Sequence, residues 1–179
     1  SHQPSVHGIM CKHIATLPED SEPIVALRKM LAGEAPEYTW ESHPLNRAGE
    51  ACAPLIGGNL SVLYGLQGTP YDLRAIFNSQ FTIHNSQFLA HKGHDYLAKP
   101  NFHNSQKPIL LIEDIGERHY HIDRMVRNLR LSGVLAELGG LIVGQFSDCE
   151  DDPSMGCTVY ETIKEAVADY DYPVLFNAP

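Results

Sequence analysis

The stretch KPILLIEDIGERHYHIDR, Lys107 to Arg124, decides how this sequence folds. Four apolar residues, Ile109 to Ile112, run straight into two adjacent carboxylates, Glu113 and Asp114, and then to Gly116. A short unbroken apolar run bounded by turn formers reads as a buried strand. Beyond it, Ile122, Met125, Val126 and Leu129 recur at helical spacing, which predicts a helix to about Leu135. The acid pair at the junction has two readings. It caps the helix or solvates a strand end, or it marks the edge of an active site.

The same alternation continues toward the C-terminus. Gly139-Gly140 breaks the chain, LIVGQF is a second apolar run ending in Ser147-Asp148, and YPVLF is a third. Between the last two, Asp152 as N-cap and Pro153 at the first helical position predict a helix with Val159, Tyr160, Ile163 and Val167 on one face. Strand, helix, strand, helix, strand is the pattern of a parallel sheet with crossover helices, so the expected fold class is α/β.

Upstream, APLIGGNLSVLYGLQGTPYD predicts a strand at Leu55–Ile56, a double-glycine turn, a helix capped by Asn59 and a stop at Gly68 before Pro70. SEPIVALRKMLAG predicts a short amphipathic helix with Ser21 as N-cap and Gly33 as stop. EYTWESHPLNRAGEA reads as a strand followed by a loop, and SVHGIM near the start as a strand remnant. One stretch fits no period. Residues 74–107 carry Asn-Ser-Gln three times, at 78–80, 85–87 and 104–106, and read as an insertion within a single domain over 1–179.

At 179 residues the chain suffices for one domain with a real core. Its formal charge is −9 with no basic stripe, which argues against nucleic acid or an anionic membrane as partner. No apolar run approaches the roughly 18 residues of a membrane span. The four cysteines, Cys11, Cys52, Cys149 and Cys157, are far apart and form no C-x-x-C pair, so they read as reduced, partly buried thiols.

Reactive groups in open α/β sheets collect at the carboxyl ends of strands. Glu113-Asp114 and Ser147-Asp148 both fall there, and Gly57-Gly58-Asn59 sits where a strand ends and a helix begins. Free amides at such a point hold a carboxylate or oxyanion, though two glycines also simply make a turn. His91-Lys92-Gly93-His94, with His84 and His103 nearby, has a spacing zinc can use, but the segment contains no cysteine and Asp95 as its only acid. No metal site is expected from it. His119 and His121 flank Tyr120 and suit a solvated helix entry. No G-x-S-x-G elbow is present, so the residues alone offer a candidate acid and a candidate anion site without a nucleophile.

Taken together, PLIGGNLSVLYGLQGTPYD, ILLIEDIGERHYHIDRMVRNLRLSGVL and GLIVGQFSDCEDD resemble the C-terminal half of the LD-carboxypeptidase family of serine peptidases, which includes the microcin-immunity hydrolases. The resemblance covers most of the chain outside residues 74–107. It implies a C-terminal domain of the swivelling β/β/α type that completes a Ser-His-Glu triad, with Glu113 as the glutamate. By the same resemblance, Asp114 orients the turn and Gly57, Gly58 and Asn59 line the substrate cleft. The family serine lies upstream on another domain and the family histidine follows a segment like YPVLFNAP, so the expectation is a domain inactive alone. The implied substrate is a murein tetrapeptide that loses its terminal D-amino acid during cell-wall recycling in the cytoplasm, by a homodimer without cofactor. Two alternatives stay open: a microcin-immunity-type serine hydrolase, and a non-catalytic module whose insertion binds a metal or a partner.

Overall fold

The computed structural model describes residues 5–34, 37–74 and 107–179. Nearly all of the 74–107 stretch, including His84, His91, His94 and His103, lies outside the described residues. The described chain divides between two compact units, residues 5–39 in one and residues 40–74 with 107–179 in the other.

The larger unit is built on four strands, β1 (Leu55–Asn59), β2 (Ile109–Ile115), β3 (Gly140–Ser147) and β4 (Val174–Phe176). Every neighbouring pair is parallel and the spatial order follows the chain, β1-β2-β3-β4. The α/β expectation holds, with the sheet parallel and its connections helical: α3 (Leu60–Gly65), α4 (His119–Leu131) and α5 (Val159–Ala166). Because side chains alternate across a strand, Leu110 and Ile112, Leu141 and Val143, Val174 and Phe176 share one face. All six are at most 2% exposed and pack with Leu60 of α3, Ile122, Met125, Val126 and Leu129 of α4, and Ile163 of α5. Burying side chains of this size contributes about 1.5–3 kcal/mol each. On the opposite face Leu111, Glu113, Ile142 and Leu175 are only half-buried.

Several local expectations need correction. The two glycines after Ile56 do not form a turn: β1 runs through them, with Gly57 opposite Leu111 and Gly58 opposite Ile112. The acid pair likewise belongs to β2 rather than following it. Helix α4 stops at Leu131, where Gly133 turns left-handed at φ +83°, and a separate 3-10 turn spans Val134–Glu137. Asp152 caps only the 3-10 turn Pro153–Met155. Helix α5 starts afresh at Val159 behind a capping box of Thr158 and Glu161, which satisfies two amides that the Asp152 cap cannot reach.

No strand forms over residues 37–51. Arg47 makes one antiparallel bridge, to Val174, and with Trp40 and Asn46 it bonds along the outer edge of β4. There the backbone N–H groups of Arg47 and Val174 donate to each other's carbonyls at 2.9 and 3.0 Å. Asn46 Oδ1 accepts from Phe176 N–H at 2.8 Å, and Trp40 Nε1 donates to the Phe176 carbonyl at 3.3 Å. The Arg47 guanidinium donates to the carbonyls of Val167, Tyr170 and Tyr172, closing the C-terminal end of the α5 region. The C-terminal run VLFNAP is therefore paired along both edges of β4, and Ala178 N–H extends the ladder to Val143 at 3.1 Å.

In the smaller unit, α1 (Cys11–Thr16) and α2 (Glu22–Leu31) are the described elements. α2 ends near Gly33, φ +85°, as its sequence predicts. Ser21 occupies the N-cap position, but its hydroxyl donates back to the Pro18 carbonyl at 2.7 Å instead of capping. SVHGIM forms no strand.

Candidate active site

At the carboxyl end of β2 the ladder to β3 is interrupted. Ile112 pairs with Val143, but Asp114 pairs with Phe146, so Gly144 and Gln145 together oppose the single residue Glu113. This is a β-bulge, a device that re-aims side chains and is over-represented beside active sites. Gly144 leaves little room here: a Cβ on it would lie 3.0 Å from Glu113 Cβ and 3.4 Å from the Ile112 carbonyl. On the other side Glu113 is in register with Asn59, the last residue of β1. Glu113 and Asn59 thus stand side by side at one end of the sheet. The bulge and the end of β1 set their positions.

Alternation sends the neighbouring acid the other way. Asp114 is 2% exposed and continues the inward row of Leu110 and Ile112. Its Oδ1 accepts from Asn59 Nδ2 at 2.9 Å and from Ile115 N–H at 2.9 Å, and its Oδ2 accepts from Ser61 N–H at 2.8 Å. The Ser61 hydroxyl lies 2.8 Å from the same Oδ2. Asp114 therefore fastens the first turn of α3 to β2. Inward parity after Ile112 was the sequence signal for this role.

Asn59 caps α3 as expected, its Oδ1 accepting from Val62 N–H at 3.0 Å. Gly57 has a packing cause of its own. Gly57 sits at φ +114°, and a Cβ there would lie 2.1 Å from the Leu111 carbonyl oxygen. Gly58 sits at φ +137° and is buried.

The rim beyond β3 and β4 holds a pocket of about 370 Å³ lined by His43, Leu45, Phe146, Cys149, Tyr160 and Glu161 among others. The Tyr160 hydroxyl lies 3.2 Å from the Gly144 carbonyl and 3.3 Å from Asn177 Oδ1, with Asn177 in the left-handed region at φ +58°. Burial pushes both the Cys149 thiol and the Tyr160 phenol above their ordinary pKa values. All four cysteines are free thiols, but Cys11 and Cys52 are exposed, against the expectation of partial burial.

His119 was misread from sequence. It is 1% exposed, not a solvated helix entry. Its Nδ1 accepts from Asp152 N–H at 3.1 Å, which leaves Nε2 to donate to Thr162 Oγ1 at 2.8 Å. It ties α4, the 150s loop and α5 together. His121 does face outward, 3.0 Å from Glu117 Oε2. Among the described residues no group of three or more His, Cys, Asp or Glu could hold a metal ion, and no helix is long and apolar enough to cross a membrane.

Residues 85–179 match the sequence profile of the LD-carboxypeptidase C-terminal domain. The chain belongs to that family. The match begins inside the stretch read as an insertion and excludes Gly57, Gly58 and Asn59. A Synechocystis sp. protein that carries the name of a carboxypeptidase, slr1534, is 39% identical over 82 residues, 45% of this chain and 26% of its own. A Bacillus subtilis (strain 168) protein that carries the name of a murein peptide carboxypeptidase is 31% identical over 114 residues, 63% of this chain and 26% of its own. The matched region is thus about a quarter of either relative. Among solved structures, the muramoyltetrapeptide carboxypeptidase from Oxalobacter formigenes superposes with a TM-score of 0.46 at 24% identity, over 71% of this chain and 34% of that one.

Proposed function

We propose that this domain supplies Glu113 as the carboxylate of a Ser-His-Glu triad in an LD-carboxypeptidase that removes the terminal D-amino acid from murein tetrapeptides in cytoplasmic cell-wall recycling. The observation that carries this reading is the placement of Glu113 at the bulge on the carboxyl end of β2, in register with Asn59. The family resemblance assigns the serine and histidine to other parts of the architecture.

In this scheme Glu113 stays ionised and accepts the imidazole Nδ1–H, holding the tautomer whose Nε2 can take the serine proton. The serine oxygen attacks the peptide carbonyl. Collapse of the tetrahedral intermediate breaks the C–N bond, and the imidazolium gives its proton to the departing amine. Water then hydrolyses the acyl-enzyme with the same histidine as base. Glu113 moves no proton; it stabilises the imidazolium.

The test compares the protein carrying this domain and its nucleophile domain with its Glu113→Gln variant, following D-alanine release from murein tetrapeptide. A loss of roughly 10³-fold or more in kcat is expected, since glutamine holds the wrong tautomer. Undiminished release by the variant removes Glu113 from the mechanism.

A further inference from the structure

Tyr160 stands on α5 with its ring held from three sides. His43 meets it edge-on at 5.3 Å between centroids, Phe176 at 5.6 Å and Phe146 at 6.2 Å, so packing fixes where its hydroxyl lies. That hydroxyl is 3.2 Å from the Gly144 carbonyl oxygen and 3.3 Å from Asn177 Oδ1. A phenol carries one hydrogen, which is here shared between two acceptors. Those acceptors belong to different parts of the sheet edge. Gly144 is one of the two residues that oppose Glu113 in the bulge, where the ladder is disrupted and backbone groups need other partners. Asn177 is the residue that follows β4, exposed and left-handed at φ +58°. The next residue, Ala178, returns its N–H to the Val143 carbonyl at 3.1 Å, immediately before the bulge.

Resting on the triad reading above, we propose that Tyr160 is a positioning residue whose hydroxyl ties the Glu113 bulge to the chain leaving β4, where the family resemblance puts the histidine. The path from hydroxyl to carboxylate is short. Gly144 has no side chain to absorb a movement, and its Cβ position lies 3.0 Å from Glu113 Cβ, so a shift of the bulge passes to the glutamate. Errors of about 1 Å in such machinery cost on the order of 10²-fold in rate. Phenylalanine at 160 keeps the ring packing and removes only the tie.

The test uses the protein carrying this domain and its nucleophile domain. Tyr160→Phe should lower kcat for D-alanine release from murein tetrapeptide about tenfold or more per folded molecule, with KM within about twofold of the wild type. Neither lost folded protein nor lost substrate binding produces that split. Asn177→Gly should lower kcat about threefold or more yet melt no lower than the wild type, because φ +58° suits glycine. The double variant should be no worse than Tyr160→Phe alone, since the Asn177 anchor acts through the same hydroxyl. Unchanged kcat in Tyr160→Phe, a rise in KM alone, or fully additive losses in the double variant overturn the proposal. Should Tyr160→Phe not fold, Asn177→Gly decides, because full kcat in that variant overturns the tie. Full activity in Glu113→Gln sinks the triad reading instead. Loss there beside wild-type kcat in Tyr160→Phe overturns the positioning role alone.

Discussion

Gly144 and Glu113 are packed so closely across the β2–β3 bulge that a Cβ at 144 would meet Glu113 Cβ at 3.0 Å. Gly144→Ala must therefore push on the glutamate or widen the bulge. Overpacking of this kind costs about 1–3 kcal/mol. For a unit of this size a melting temperature lower by roughly 2–8 °C per kcal/mol is expected in thermal denaturation. On the triad reading proposed above, D-alanine release by the protein carrying this domain and its nucleophile domain should fall as well, by more than the loss of folded protein explains.

Gly57→Ala should be worse. It combines a left-handed φ of +114° with a Cβ 2.1 Å from the Leu111 carbonyl oxygen, and neither can relax without parting β1 from β2. A loss of at least about 3 kcal/mol follows. Gly65→Ala is the control, because a Cβ there meets nothing within 4 Å and α3 gains a better helix former. Chemical denaturation should place Gly65→Ala at or above the wild type and Gly57→Ala far below it.

Acid should weaken the start of α5. Hydrogen bonds from the Thr158 N–H and hydroxyl hold the Glu161 carboxyl below its ordinary pKa. A depressed folded-state pKa contributes stability above the unfolded value, near 4.5, and loses it as pH falls through the folded value. Glu161→Gln should therefore melt below the wild type at pH 6. The deficit should shrink as pH falls below 4.5 and through the folded value. A deficit that persists unchanged at pH 3 contradicts the capping role.

The thiols should react in an order set by burial and charge state. Cys11 and Cys52 are exposed, whereas burial keeps Cys149 protonated at neutral pH. Iodoacetamide followed by peptide mass analysis should label Cys11 and Cys52 first and Cys149 much later. Equal labelling of Cys149 would show that the 150s loop opens readily.

The parallel sheet was legible because the three C-terminal apolar runs are short, unbroken and separated by helical spacing. Asn59 was legible as a cap for the same local reason. Strand ends were not, since residues such as Gly57, Gly58, Glu113 and Asp114 pair only because a neighbouring strand offers them partners. The inward turn of Asp114 was readable from its parity with Leu110 and Ile112, yet its partner Ser61 lies 53 positions away. His119 looked solvated beside Tyr120 and His121. The donor and the acceptor that explain it come from Asp152 N–H and Thr162 Oγ1, both remote in sequence.

The strap along β4 has a consequence in time. Arg47 is separated from the Val167 carbonyl it grips by 120 residues, and Trp40 from the Phe176 carbonyl by 136. A ribosome adding about 5–20 residues per second needs about 6–27 s to deliver these partners after Arg47 or Trp40 is made. Throughout that interval the early segment has no edge to close. Loops this long also make closure slow, because their entropy must be lost before any contact compensates it. The last strand to emerge is thus the one that the first residues of the unit must wait for, and its outer edge is sealed only after synthesis has passed Phe176.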